Sequence, residues 1–187
     1  MKLYHGSKSR KITEFNFYHS RRTLDFGKGV YFTTNFDQAK EWSCKHCKEG
    51  AVYECEIDFF NFNVLTFPEK SEDLIYVLYL CRIDLEEIAD TVDGFTTADV
   101  IMGLMLDGNM RGFEELAEQF NEGDISYEFF SEQIKLYENG YDQVCIKTKA
   151  ALEQVNASIE KVYYTQKNKK VVEIVEEIDC GRKKDES

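Results

Sequence analysis

The segment Phe26-Gly27-Lys28-Gly29-Val30-Tyr31-Phe32-Thr33-Thr34 constrains this chain more than any other. Two glycines, two residues apart, run directly into an apolar triplet. Without a Cβ in the way, another molecule can approach such a backbone closely. Val30-Tyr31-Phe32 then reads as a short buried strand, with residues 30–33 extended. A tyrosine carried on a strand is held more firmly than one on a loop, which suits stacking against a flat ring. A second strand, over residues 1–6, contains Lys2-Leu3-Tyr4 and ends in His5-Gly6. Together the two segments have the character of two walls of a nucleotide site.

Around these strands the pattern alternates between helix and strand. Residues 7–24 are polar and irregular. Asn35 opens a helix as a cap, with Gln38 three residues on, as in a capping box. Phe36, Ala39, Trp42 and Cys47 form its apolar stripe, and Gly50 is expected to close it. Tyr53, Cys55 and Ile57 alternate with Glu54, Glu56 and Asp58, which predicts a half-buried strand with a solvated acidic face. Leu74, Val77, Leu78, Cys81, Leu85 and Ile88 recur at helical spacing over 70–94. Ala98 to Met102 reads as a strand. Residues 111–139 read as acidic amphipathic helices broken near Asn121-Glu122-Gly123-Asp124. In Gln143 to Thr148, Val144 and Ile146 fall on one strand face, and Gln143, Cys145 and Lys147 on the other. A short helix over 149–155 leads to a last strand, Ile159 to Thr165. The class is α+β, with short strands from both ends of the chain and helices between them.

With 187 residues, 43% hydrophobic and 14% aromatic, the chain has enough apolar material for one real core. Its formal charge of −12 disfavours nucleic acid as a general partner. The basic clusters Lys8-Ser9-Arg10-Lys11, Arg21-Arg22 and Lys167 to Lys170 read as solvated surface. No apolar run approaches the roughly 20 residues of a membrane span, and the N-terminus lacks the apolar run of a signal peptide. Cys44, Cys47, Cys55, Cys81, Cys145 and Cys180 are irregularly spaced, as reduced thiols of a cytoplasmic protein would be. Cys44-Lys45-His46-Cys47 has half the ligands of a zinc site, with no second CxxC or HxxxH, so it reads as structural. No metal is expected.

Three segments carry a family resemblance: Tyr4-His5-Gly6, Phe26 to Phe32, and Tyr141-Asp142-Gln143-Val144-Cys145-Ile146. In that order they resemble the three signature motifs of the ADP-ribosyltransferase superfamily, in its diphtheria-toxin-like and poly-ADP-ribose-polymerase-like branch. Leu3 to Ser7, Asp25 to Gly29, Gln38 to Trp42, Ala98 to Ile101 and Asp142-Gln143 further resemble a bacterial family of uncharacterised domains within it. The likeness runs over roughly residues 1–155. It implies a split, mixed or antiparallel sheet core with flanking helices. The domain would span residues 1–165, with a helical insertion at about 70–140, followed by a charged tail over 166–187.

The resemblance also implies roles and a co-substrate, NAD. His5 would bond the adenosine ribose, and the backbone of Gly6 the nicotinamide carboxamide. Tyr31 would stack on the nicotinamide ring, with Trp42 as a second stacking aromatic. Gly29 and Thr33 would flank the cofactor. Gln143 would stand where the superfamily places its catalytic Glu, so that Gln143, His5 and Tyr31 form the catalytic set. Asp107 is a weaker site candidate. The sequence departs from the pattern twice. Ala39 stands near where a serine usually bonds the carboxamide. Gln143 is neutral and gives no charge to an oxocarbenium-like state, a loss of roughly 2–4 kcal/mol of transition-state stabilisation. Asp142 and Asp25 are the nearest acids. The implied function is mono-ADP-ribosyl transfer to a protein or nucleic-acid acceptor, in a toxin or defence setting. Tyr141, two residues before Gln143, disfavours arginine as that acceptor. An NAD-binding module without turnover and an NAD glycohydrolase are the alternatives.

Overall fold

The computed structural model describes residues 1–83, 92–106, 112–137 and 141–166, and the backbone of 174–175. Leu85, Ile88, Asp107, Lys167 to Lys170 and Cys180 lie outside the described residues. The architecture is α+β, built on two four-stranded sheets. The first has the order β1 (Lys2–Ser7), β3 (Glu49–Glu56), β7 (Lys161–Gln166), β8 (Ile174–Val175), antiparallel throughout. The second has the order β2 (Val30–Phe32), β6 (Asp142–Ile146), β5 (Val100–Leu104), β4 (Val64–Phe67), and is mixed, because β4 runs parallel to β5. The sheets meet at one bridge, where Tyr4 and Thr33 exchange both backbone bonds at 2.8 and 2.9 Å.

Strand β6 divides the core. Val144 and Ile146 face a cluster shared by both sheets and α5 (Lys149–Ala157), with Leu3, Tyr53, Val100, Leu152 and Val162. Cys145 faces the opposite cluster. There α2 (Glu72–Arg82), α3 (Phe113–Asn121) and α4 (Tyr127–Gln133) pack Leu74, Leu78, Phe113, Ala117 and Phe130 onto Phe26, Phe67 and Ile101. The alternation read in β6 therefore has a direct cause: each face meets a different apolar layer.

Helix α1 (Phe36–Ser43) starts where expected, with Asn35 Oδ1 accepting from the Gln38 backbone N–H at 3.0 Å. Its other features differ from expectation. The helix ends at Ser43, and Gly50 lies inside β3. A Cβ on Gly50 would stand 2.2 Å from the Ser43 carbonyl oxygen, so the glycine lets the strand pass under the helix end. Gln38 turns away from the cap to bond elsewhere, and Trp42 is 44% exposed and outside the core. Cys47 lies beyond the helix, where its thiol donates to backbone carbonyls.

Glu54 is a further correction. It is 4% exposed, bonded by Lys2 Nζ at 2.7 Å and by the Tyr163 hydroxyl at 2.8 Å. Burial pushes this carboxyl up, but those two bonds, with the charges of Lys2 and Lys161, outweigh burial and hold it below its ordinary value. The acidic face of β3 is thus covered at Glu54, because β7 and Lys2 supply partners from distant sequence. The span 70–140 is more than a helical insertion, since β5 within it is an inner strand of the second sheet. Strand β4 was not foreseen, and Ile174–Val175, in the expected tail, adds a short strand to the first sheet. Among the described residues, no helix is long and apolar enough to cross a membrane.

Candidate functional site

A cleft of about 260 Å³ opens where the two sheets meet, between β1, β2, β6 and α1. His5, Gly6, Tyr31, Thr33, Trp42 and Gln143 all line it, brought together from three separate stretches of chain. Gly29 does not. A Cβ there would stand 2.2 Å from Cys145 Sγ, so the space at Gly29 is taken by the protein's own β6. The glycine pair read as an approach for another molecule is used for internal packing at Gly29. At Gly27, a φ of 69° accounts for the glycine.

The loop before β2 is fastened from several directions. Tyr31 donates its hydroxyl to the Gly27 carbonyl at 2.7 Å and accepts from the Phe26 N–H at 3.0 Å. Lys147 Nζ donates to the Phe26 carbonyl at 2.6 Å. With its hydroxyl committed and burial holding its pKa well above the ordinary value, Tyr31 contributes a fixed flat ring, not an acid or base.

His5 Nδ1 lies 2.7 Å from the Tyr31 carbonyl oxygen. A carbonyl accepts only, so Nδ1 carries the hydrogen and Nε2 of the neutral ring is left as an acceptor. Burial lowers the His5 pKa, against the opposing pull of that carbonyl. Phe15 and Phe32 fix the ring, with centroids 4.9 and 5.5 Å away.

Gly6 contributes backbone. Met1 and Ile57 exchange both bonds, so the odd-numbered residues of β1 face β3. The even-numbered residues point the other way. Tyr4 spends both groups on Thr33, and Gly6, two residues on, presents its N–H and C=O on the same open edge, at the cleft. Neither group has a hydrogen bond among the described residues. The missing side chain serves α1, since a Cβ on Gly6 would stand 2.0 Å from the Ala39 carbonyl oxygen.

Thr33 lines the cleft with its polar atoms already used. Its hydroxyl lies 2.5 Å from Asp142 Oδ1 and 2.8 Å from Gln38 Oε1, and its backbone holds Tyr4. Asp142 points away from the cleft into this cluster, bonding Thr34 as well. Trp42 stands on the rim, with Lys45 Nζ 4.2 Å from its ring centroid.

Of the two acids singled out in the sequence beside Gln143, Asp25 is the one that meets it, and it lines the same cleft. Asp25, 4% exposed, accepts from Arg82 Nε at 2.8 Å and Nη2 at 2.5 Å, from the Leu106 N–H at 2.9 Å, and from Gln143 Nε2 at 2.8 Å. Nothing in the pattern of α2 marked Arg82, which lines the cleft beside Asp25. No group of three or more metal-ligating side chains occurs among the described residues.

A family model described as "Protein of unknown function (DUF3990)" matches residues 1–157. The chain belongs to that family. Neither the curated proteins nor the solved structures gave a match. The span matched by the DUF3990 model includes every residue of the cleft and ends with α5, leaving β7 beyond it. As a DUF3990 chain, it offers a flat aromatic wall at Tyr31 and an exposed indole at Trp42. It adds a donor and acceptor side by side at Gly6, and single acceptors at His5 and Gln143.

Proposed function

We propose that the chain binds NAD in this cleft and moves one ADP-ribose unit to a macromolecular acceptor, releasing nicotinamide. The observation that carries this reading is the Gly6 N–H and C=O pair, without a hydrogen bond among the described residues, in the same cleft as the fixed ring of Tyr31. A primary carboxamide has the complementary acceptor and donor, so it can close both bonds while its ring lies against the tyrosine. Two sheets meeting at the Tyr4–Thr33 bridge agree with an ADP-ribosyltransferase-like split core. Ala39 supplies no hydroxyl to the carboxamide, which leaves its recognition to the Gly6 backbone.

In the reaction, the bond from ribose C1′ to the nicotinamide nitrogen breaks. The electron pair stays with nitrogen, and nicotinamide leaves neutral without a general acid. The acceptor's nucleophile forms the new bond to C1′ and gives its proton to solvent. Gln143 accepts from the ribose 2′-hydroxyl but brings no full charge to the oxocarbenium-like state. That favours slow single transfer over chain elongation, and it also supports a second reading, binding without turnover.

Incubation with NAD labelled in its adenosine half, with and without cell lysate, separates the outcomes. Labelled macromolecule is expected. Free ADP-ribose without labelled acceptor would mean hydrolysis, and binding with neither product would mean a reader. Tyr31→Ala is expected to weaken NAD binding at least tenfold, the worth of a stacked ring at about 1.4 kcal/mol. No binding by the wild type at millimolar NAD rejects the proposal.

A further inference from the structure

We propose that Asp25 is the positioning residue of this cleft, holding the Gln143 amide so that its carbonyl oxygen faces the ligand. The ligand's identity rests on the functional reading above. The hold on the amide does not.

The two ends of a glutamine amide are nearly the same shape and opposite in chemistry. Left alone, Gln143 could present either to the cleft. Here one terminal atom lies 2.8 Å from Asp25 Oδ2 and 3.2 Å from the Leu104 carbonyl oxygen. Both neighbours only accept, so the atom between them is the nitrogen, and both its hydrogens are used. The oxygen Oε1 has no hydrogen bond among the described residues, and Gln143 lines the cleft. A neutral side chain is thereby turned into a dedicated acceptor.

Asp25 is itself immobilised. Arg82 takes Oδ1 through two nitrogens, and the Leu106 N–H shares Oδ2 with Gln143. Arg82 also balances its charge, which makes a buried carboxylate tolerable. The same geometry predicts that Gln143→Glu alone will not restore an acidic site. The new carboxylate would sit against Asp25, and like charges at that distance repel. Asp25→Asn combined with Gln143→Glu moves the charge without changing the total, and an asparagine NH2 at the Oδ2 position can donate to the new acid, giving up the bond from the Leu106 N–H.

Two measurements test this. The first is a thermodynamic cycle on the ligand-free protein: wild type, Asp25→Asn, Gln143→Glu and the double variant, by urea unfolding. Each single variant is expected to be less stable than the wild type, and the double variant more stable than Gln143→Glu. Additive effects overturn the proposal, and so does a double variant that fails to fold when Gln143→Glu folds. The second compares NAD with its analogue lacking the 2′-hydroxyl of the nicotinamide ribose. The wild type is expected to prefer NAD by about five- to tenfold, the worth of one hydrogen bond. In Asp25→Asn the new NH2 can donate to Gln143, and only the Leu104 carbonyl, at 3.2 Å, still favours nitrogen there, so the amide can turn over. That preference is expected to fall below about twofold, with affinity for the deoxy analogue little changed. A variant that discriminates as the wild type does overturns the positioning role alone. If Asp25→Asn does not fold, Asp25→Ser, which keeps Gln143, is titrated in its place with the same expected loss of preference, and an unchanged preference overturns the proposal. A wild type that binds neither probe overturns the functional reading and the ligand-facing role together, whatever the cycle shows.

Discussion

His5 shows how a single residue links the site to stability. Its ring is held between Phe15 and Phe32 with Nδ1 on the Tyr31 carbonyl, and burial lowers its pKa below the ordinary 6.5. Below pH 6.5 the unfolded chain therefore takes up a proton before the folded one does, and acid drives unfolding. Stability is expected to fall as pH drops from 6.5 through the folded-state pKa. Glu54, held below its ordinary 4.5, adds its own loss only at lower pH. Melting temperatures of wild type and His5→Gln between pH 7.5 and 5 check this. The variant's curve should be flatter through that window, and parallel curves would remove His5 as the cause.

At the scale of elements, the cleft depends on where α1 sits. Gly6 and Gly50 let the helix lie against β1 and β3, and Gln38 ties it to β6. Gln38 Nε2 donates to the Asp142 carbonyl at 2.7 Å, and its Oε1 accepts from the Asp142 N–H at 3.1 Å. A side-chain amide thus closes two bonds to the backbone at the start of the strand that carries Gln143. Gln38→Leu keeps roughly the same volume and removes both bonds, along with the one from the Thr33 hydroxyl, leaving the half-buried Asp142 backbone groups unpaired. It is expected to cost about 1–3 kcal/mol in urea unfolding and to speed hydrogen exchange at the Asp142 amide. A variant as stable as the wild type with unchanged exchange would show that α1 is held by packing alone.

For the whole molecule, β6 has one face in each apolar cluster, so neither cluster is complete without it. Loss of either layer exposes the other, and the described fold is expected to unfold in one step. Trp42, the single tryptophan, reports on α1 at the cleft rim, and far-UV circular dichroism reports on both sheets. Their urea midpoints should coincide. A fluorescence change that precedes the loss of secondary structure would show the rim opening on its own.

Much of the chain was legible before folding, where neighbouring residues carry the signal. Asn35 caps α1, the alternation of Val144 with Cys145 follows two apolar layers, and the break near Gly123 separates α3 from α4. Periodicity and capping are local, so a single strand of sequence records them. Three further features depend on partners far along the chain. Cys145 fills the space at Gly29, Lys2 and Tyr163 cover Glu54, and Asp25 holds Gln143 across 118 positions. Gln143 in isolation is only a neutral amide. Packing places two acceptors on its nitrogen, and that tertiary contact decides which end of the amide the cleft presents.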